Sequence, residues 1–148
     1  LLPGMLDASM QRHADMSFYE YMVLAMLSER YDHTVQLSVL AELTAGSLSR
    51  LSHVLTRLEK KGWVTRSRVP GNARLRQATL TPEGLAKVQQ TAPNHVADVR
   101  ALVFDHLSPE QVRQLAQLTD PIVASVRPEI GPRPAGRGRT QAEEPSGD

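Results

Sequence analysis

The chain has 148 residues, with 17 Lys+Arg against 16 Asp+Glu for a formal net charge of +1, 41% hydrophobic residues and no cysteine. That is room for about one domain with an ordinary core. It excludes wholesale disorder, disulfide staples, thiolate metal sites and thiol redox sensing. The longest apolar run, Tyr21 to Leu27, is too short to span a bilayer, and no basic segment precedes it as in a signal peptide.

Along the chain, Leu2, Met5, Leu6 and Met10 stand at near-helical spacing, broken by Pro3-Gly4, and read as the remnant of a first helix. Without an initiating Met, the natural beginning is expected upstream. Ser17 caps a second helix to about Arg30, apolar almost all round and therefore buried. After a turn at Tyr31-Asp32-His33, Ser38 caps a short helix through Leu43 with Val39, Leu40 and Leu43 inward. Thr44-Ala45-Gly46 makes a tight turn. Ser47 then caps a helix that runs to Lys61 and is stopped by Gly62.

At about 100° per residue, Leu48, Leu51, Leu55 and Leu58 of that helix fall in one narrow arc and read as core. Ser49, Arg50, His53, Thr56, Arg57 and Lys60 lie opposite. Trp63–Ser67 and Gln77–Leu80 read as short strands joined by a Pro-Gly turn with basic flanks. Thr81 caps a long helix that opens with Pro82 and is kinked or divided by Pro93. Ser108-Pro109-Glu110-Gln111 is a capping box for a last helix with the stripe Val112, Leu115, Leu118 or Thr119, Ile122 and Val126. Residues 127–148, rich in Pro, Gly and Arg, read as a disordered tail.

Charge is unevenly distributed. Ser47 to Arg76 holds Arg50, Arg57, Lys60, Lys61, Arg66, Arg68, Arg74 and Arg76 against Glu59 alone, a net +7, which leaves nine bases and fifteen acids, net −6, elsewhere. The same window holds a short helix, a tight turn, a second helix with a polar outer face and a basic hairpin. That order is a winged helix-turn-helix: mainly α, with a two-stranded β wing. The second helix suits the DNA major groove, and the hairpin tip suits the neighbouring minor groove.

The stretch Leu40 to Gly84 resembles the MarR (multiple antibiotic resistance regulator) family of bacterial transcription factors. The residues that carry the likeness are Leu40-Ala41-Glu42, Leu51-Ser52-His53 through Arg57-Leu58-Glu59, Lys61 to Arg66, Asn72-Ala73-Arg74, Leu80-Thr81 and Gly84. There are two departures. His53 stands where the family commonly has Arg, so Arg50, one turn earlier, becomes the alternative base reader. Asn72 replaces the wing Asp and can offer Arg74 only a neutral hydrogen bond.

On this reading Arg74 inserts into the minor groove, flanked by Arg68 and Arg76 on the backbone. Ser49, Arg50 and His53 face base edges, while Ser47, Ser52, Arg57 and Lys60 meet phosphates. Ser47 reads equally as a plain N-cap, and Arg57 alternatively pairs with Glu59 or a neighbouring helix. Trp63 reads as packed at the wing base, and Phe18, Tyr19 and Tyr21 as core before pocket.

The resemblance implies a homodimer on double-stranded, pseudo-palindromic DNA, read as a repressor in the bacterial cytoplasm. A small, often phenolic or anionic effector would release it, but no residue identifies such a ligand. The expected organisation is an N-terminal dimerisation helix over 1–17, the DNA-binding region over 18–92, C-terminal dimerisation helices over 93–126, and the tail. No cofactor, metal or membrane partner is expected, and no nucleophile motif marks an enzyme. The alternative is a winged-helix module whose basic face meets an acidic protein.

Overall fold

In the computed structural model, residues 1–126 are described, so the tail over 127–148 lies outside the described residues. The chain divides into two compact units, Leu1–Asp105 and a second that begins at His106.

Helix α1, Leu2–Ala14, runs unbroken, because Pro3 stands in the first turn where no backbone partner is lost. Helix α2, Phe18–Ser28, opens on a full capping box. Ser17 Oγ accepts the Glu20 N–H at 3.1 Å, and Glu20 accepts the Ser17 N–H at 2.8 Å. Val23, Leu24 and Leu27 of α2 are wholly buried.

Strand β1, Thr34–Gln36, is unannounced by the sequence pattern, having only Val35 inward. Helix α3, Leu37–Leu43, follows directly. It begins before Ser38, whose hydroxyl accepts from Gln36 Nε2 at 2.9 Å instead of capping. Leu40 and Ala41 form its buried side, and Val39 is exposed.

The turn after α3 is closed by Ala45 N–H to Glu42 O and Gly46 N–H to Ala41 O, with Ala45 itself left-handed at φ 51°. Helix α4, Leu48–Lys60, is capped by Ser47 Oγ on the Arg50 N–H at 3.1 Å. It ends in a Schellman motif, Trp63 N–H to Leu58 O and Gly62 N–H to Glu59 O, with Gly62 at φ 75°.

Strands β2, Val64–Val69, and β3, Asn72–Leu80, form the hairpin, and β1 adds on the far side of β3, giving the antiparallel order β1-β3-β2. Helix α5, Pro82–Leu102, is capped by Thr81 Oγ on the Gly84 N–H at 3.0 Å. It passes through Pro93 without dividing. Pro93 and Gln89, whose carbonyl loses its partner, are both exposed, so water can serve that carbonyl.

The core joins Leu24, Leu27, Leu40, Leu55 and Leu58 to Val64, Ala78 and Leu80 of the sheet, with Met10 and Ala14 of α1 and Val88 of α5. Leu48 corrects the wheel reading: it is 58% exposed, and Val54 takes its place inside. Leu48 is the first helical residue and lies at the edge of the buried arc.

In the second unit, helix α6, Pro109–Val126, is opened by reciprocal bonds between Ser108 and Gln111. Leu115, Leu118, Ile122, Val123 and Val126 are exposed along it.

Candidate nucleic-acid interface

Helix α4 is built by alternation of character around its axis. Leu51, Val54, Leu55 and Leu58 are buried, which leaves Ser49, Arg50, Ser52, His53, Arg57 and Lys60 on the solvent side. The α3-to-α4 turn fixes where that face points. Tyr19 Oη lies 3.0 Å from Thr44 Oγ1, buried, and a Cβ at Gly46 would collide with the Tyr19 hydroxyl. Glycine is therefore required there for close approach, while the left-handed conformation falls on Ala45.

Several side chains assigned to DNA are also tied into the protein. The Arg50 guanidinium lies 4.0 Å over the Tyr19 ring centroid. Arg57 Nε donates to Glu20 Oε1 at 2.8 Å, which is the neighbouring-helix alternative. Burial by itself would raise the Glu20 carboxyl. The Ser17 N–H, Arg57 and Lys61 outweigh burial and hold it below the ordinary carboxylate range. Lys61 Nζ donates to Asp15 O at 2.7 Å.

At the wing, the Arg66–Glu59 pair closes at 2.6 Å between β2 and α4. Its hydrogen bond lowers the Glu59 carboxyl and raises the Arg66 guanidinium. Trp63 is half-buried between Lys61 and Lys87, whose ammonium groups stand 4.8 and 5.3 Å from its ring centroid, in keeping with a packing role.

Beyond that root the hairpin is exposed. Asn72 Oδ1 accepts the backbone N–H of Arg74 at 3.1 Å, so it shapes the turn and does not hold the guanidinium. Arg68 pairs directly with Arg76 across the strands. Like charges in that register repel, and an anion between them would relieve the repulsion. Among the described residues the side chains of Lys60, Arg68, Arg74 and Arg76 make no hydrogen bond or ion pair. The ten predicted site residues thus fall on two neighbouring elements, Ser47 to Lys60 on α4 and its cap, and Arg68, Arg74 and Arg76 on the wing.

A cleft of about 770 Å³ lies alongside α4, between that helix and the start of α2. Arg50, His53, Val54 and Arg57 form one wall, and Phe18, Tyr19, Met22 and Asp7 face them. Tyr19 and Tyr21 belong to the core and Phe18 packs against it, as the core reading expects, and Phe18 and Tyr19 also show a side to the cleft. Among the described residues no group of three His, Cys, Asp or Glu could hold a metal ion, and no helix is long and apolar enough to cross a membrane.

Residues 17–75 match the MarR family model. Among solved structures, the chain is similar to Sco3205 of Streptomyces coelicolor, a MarR family transcriptional regulator in complex with DNA. That match has 38% identity and a TM-score of 0.79, and covers 88% of this chain and 81% of the other. AbsC, a MarR family transcriptional regulator from the same organism, is 34% identical over 86% of each chain, with a TM-score of 0.77. A mutant of Escherichia coli MarR, solved with operator DNA, shares the fold at 23% identity and a TM-score of 0.70, over 82% of this chain and 85% of that one. A search of curated proteins found no match. The winged helix-turn-helix geometry and the extent of these likenesses agree: the chain belongs to the MarR family of transcriptional regulators.

Proposed function

We propose that the protein is a DNA-binding repressor that grips a pseudo-palindromic operator as a homodimer. The observation that carries this reading is the exposed wing charge that makes no hydrogen bond or ion pair among the described residues, above all the facing Arg68 and Arg76 beside Arg74. Such a hairpin fits a phosphate-lined groove, with Arg74 entering the minor groove and Ser49, Ser52 and His53 meeting base edges in the major groove. The relative Sco3205, solved in complex with DNA, supports DNA as the partner. A second copy of the chain covers the exposed apolar stripe of α6 and the exposed Leu1, Leu2 and Met5 of α1.

The cleft alongside α4 is the site we assign to an effector. Its aromatic wall and the cations Arg50 and His53 suit an aromatic anion, which would draw those side chains away from DNA. Fluorescence anisotropy with the duplex upstream of the protein's own gene tests the reading. Binding tighter than micromolar at low salt, weakened by Arg74→Ala, is expected. Equal affinity for any duplex of the same length would overturn it.

A further inference from the structure

Arg66 lies within the basic window, yet its guanidinium turns back onto the recognition helix. Nη2 donates to Glu59 Oε2 at 2.6 Å and to Thr56 Oγ1 at 3.1 Å, and Nη1 reaches Ser52 Oγ at a long 3.5 Å. Ser52, Thr56 and Glu59 are spaced four and three residues apart on one side of α4, so a single wing side chain spans two turns of the helix. A planar fork of donors can do this, and an ammonium group cannot match its geometry. The Arg66 side chain is 24% exposed, against 55% for Arg57, which leaves it the more shielded of the two. Thr56 is spent on the same brace. Its hydroxyl gives its hydrogen to Ser52 O at 3.0 Å and accepts from Arg66, so no donor remains for DNA.

We infer that Arg66, held by Glu59, is a positioning residue that locks the wing to the recognition helix without itself contacting DNA. The inference rests on the DNA-binding reading above. Two elements must enter two grooves at a fixed mutual angle. An interface whose parts are ordered before binding avoids that ordering cost at the moment of contact. The hairpin leaves the body of the fold at Val64 and reaches outward to Gly71, so a brace at its root sets the aim of Arg74 at its tip.

Charge and positioning make opposite predictions for Glu59→Gln. The substitution removes the only acid of the window, so electrostatics alone would tighten DNA binding. Loss of the brace weakens it. The test measures anisotropy on a duplex that the wild-type protein selects from a randomised pool, beside a scrambled duplex, for Glu59→Gln, Arg66→Gln and the double variant. Each single substitution is expected to lose about tenfold on the selected duplex, with the double no worse than Arg66→Gln and the salt slope unchanged. Tighter binding by Glu59→Gln, losses that multiply in the double variant, or a slope flattened by about 1 in Arg66→Gln would each overturn the inference. Should Arg66→Gln fail to fold, the near-isosteric Glu59→Gln carries the test through the sign of its effect. Failure of the wild-type protein to enrich any sequence would instead overturn the DNA-binding reading.

Discussion

The recognition helix and the wing tip carry the same sign of charge but hold it in different ways. On the helix side, Arg50 stacks on Tyr19, Arg57 meets Glu20, Lys61 bonds Asp15 O and Arg66 bonds Glu59. Lys60 and the wing's Arg68, Arg74 and Arg76 have no such partner among the described residues. A net charge of +7 over the window therefore overstates the number of bases free for an external anion, because about half of them first serve the fold. The tied bases set the angle of the reading surface, and the free ones supply the attraction.

Substitutions that separate affinity from stability sharpen this contrast. The largest effect is expected at the tip: Arg74→Ala should lose about tenfold to a hundredfold in specific DNA affinity with an unchanged melting temperature. Glu20→Ala is expected to do the reverse. It removes the capping-box acceptor and strands Arg57, costing about 2 kcal/mol in urea unfolding. It should also flatten the acid limb of stability. The folded Glu20 carboxyl sits below its usual 4.5, so its contribution is present above that pH and is lost as pH falls through the lowered value.

Gly46→Ala probes the joint between the two regions. The new methyl group displaces Tyr19 and with it the Arg50 stack, so stability should fall by about 1–2 kcal/mol and DNA affinity should fall with it. Ala45→Gly, at the left-handed position beside it, should instead gain a few tenths of a kcal/mol.

The smallest effect is expected at His95, away from the charged surface. Its ring lies 4.8 Å from Tyr21 and 5.6 Å from Phe18, and its Nδ1 is buried with no hydrogen-bond partner among the described residues. Burial lowers its pKa against the opposing pull of Asp98. The unfolded chain therefore takes up this proton first. Stability should drop as pH falls below about 6.5 and level off under the folded value, and His95→Gln should remove that component.

Much of the frame was legible in the residues because it rests on local chemistry. Ser17, Ser47, Thr81 and Ser108 cap where hydroxyls precede helical periods, and Gly62 ends α4 in the left-handed conformation that glycine favours. What escaped depends on contacts distant in the chain. Strand β1 is too short for alternation and exists because Thr34 and Val35 find Thr79 and Ala78 on β3. Leu48 shares the apolar character of Leu51 yet stands at the edge of the arc, so a wheel alone could not exclude it.

At the interface, the sequence brought the ten residues to one motif but could not tell free bases from tied ones. Glu20 lies 37 residues from Arg57, and nothing local announces that pair. Glu59 and Arg66 are nearer, yet they meet only because the chain reverses at Gly62. The cleft alongside α4 was legible only as the pocket alternative for Phe18 and Tyr19, since its walls come from separate helices.

The salt dependence of DNA affinity tests the central contrast most directly. The logarithm of affinity for the selected duplex, measured against the logarithm of salt concentration, should fall steeply for the wild-type protein, and Arg68→Ala or Arg76→Ala should each flatten the slope by about 1. A shallow wild-type slope, or one indifferent to both substitutions, would mean that the wing's exposed charge is not what meets the phosphates.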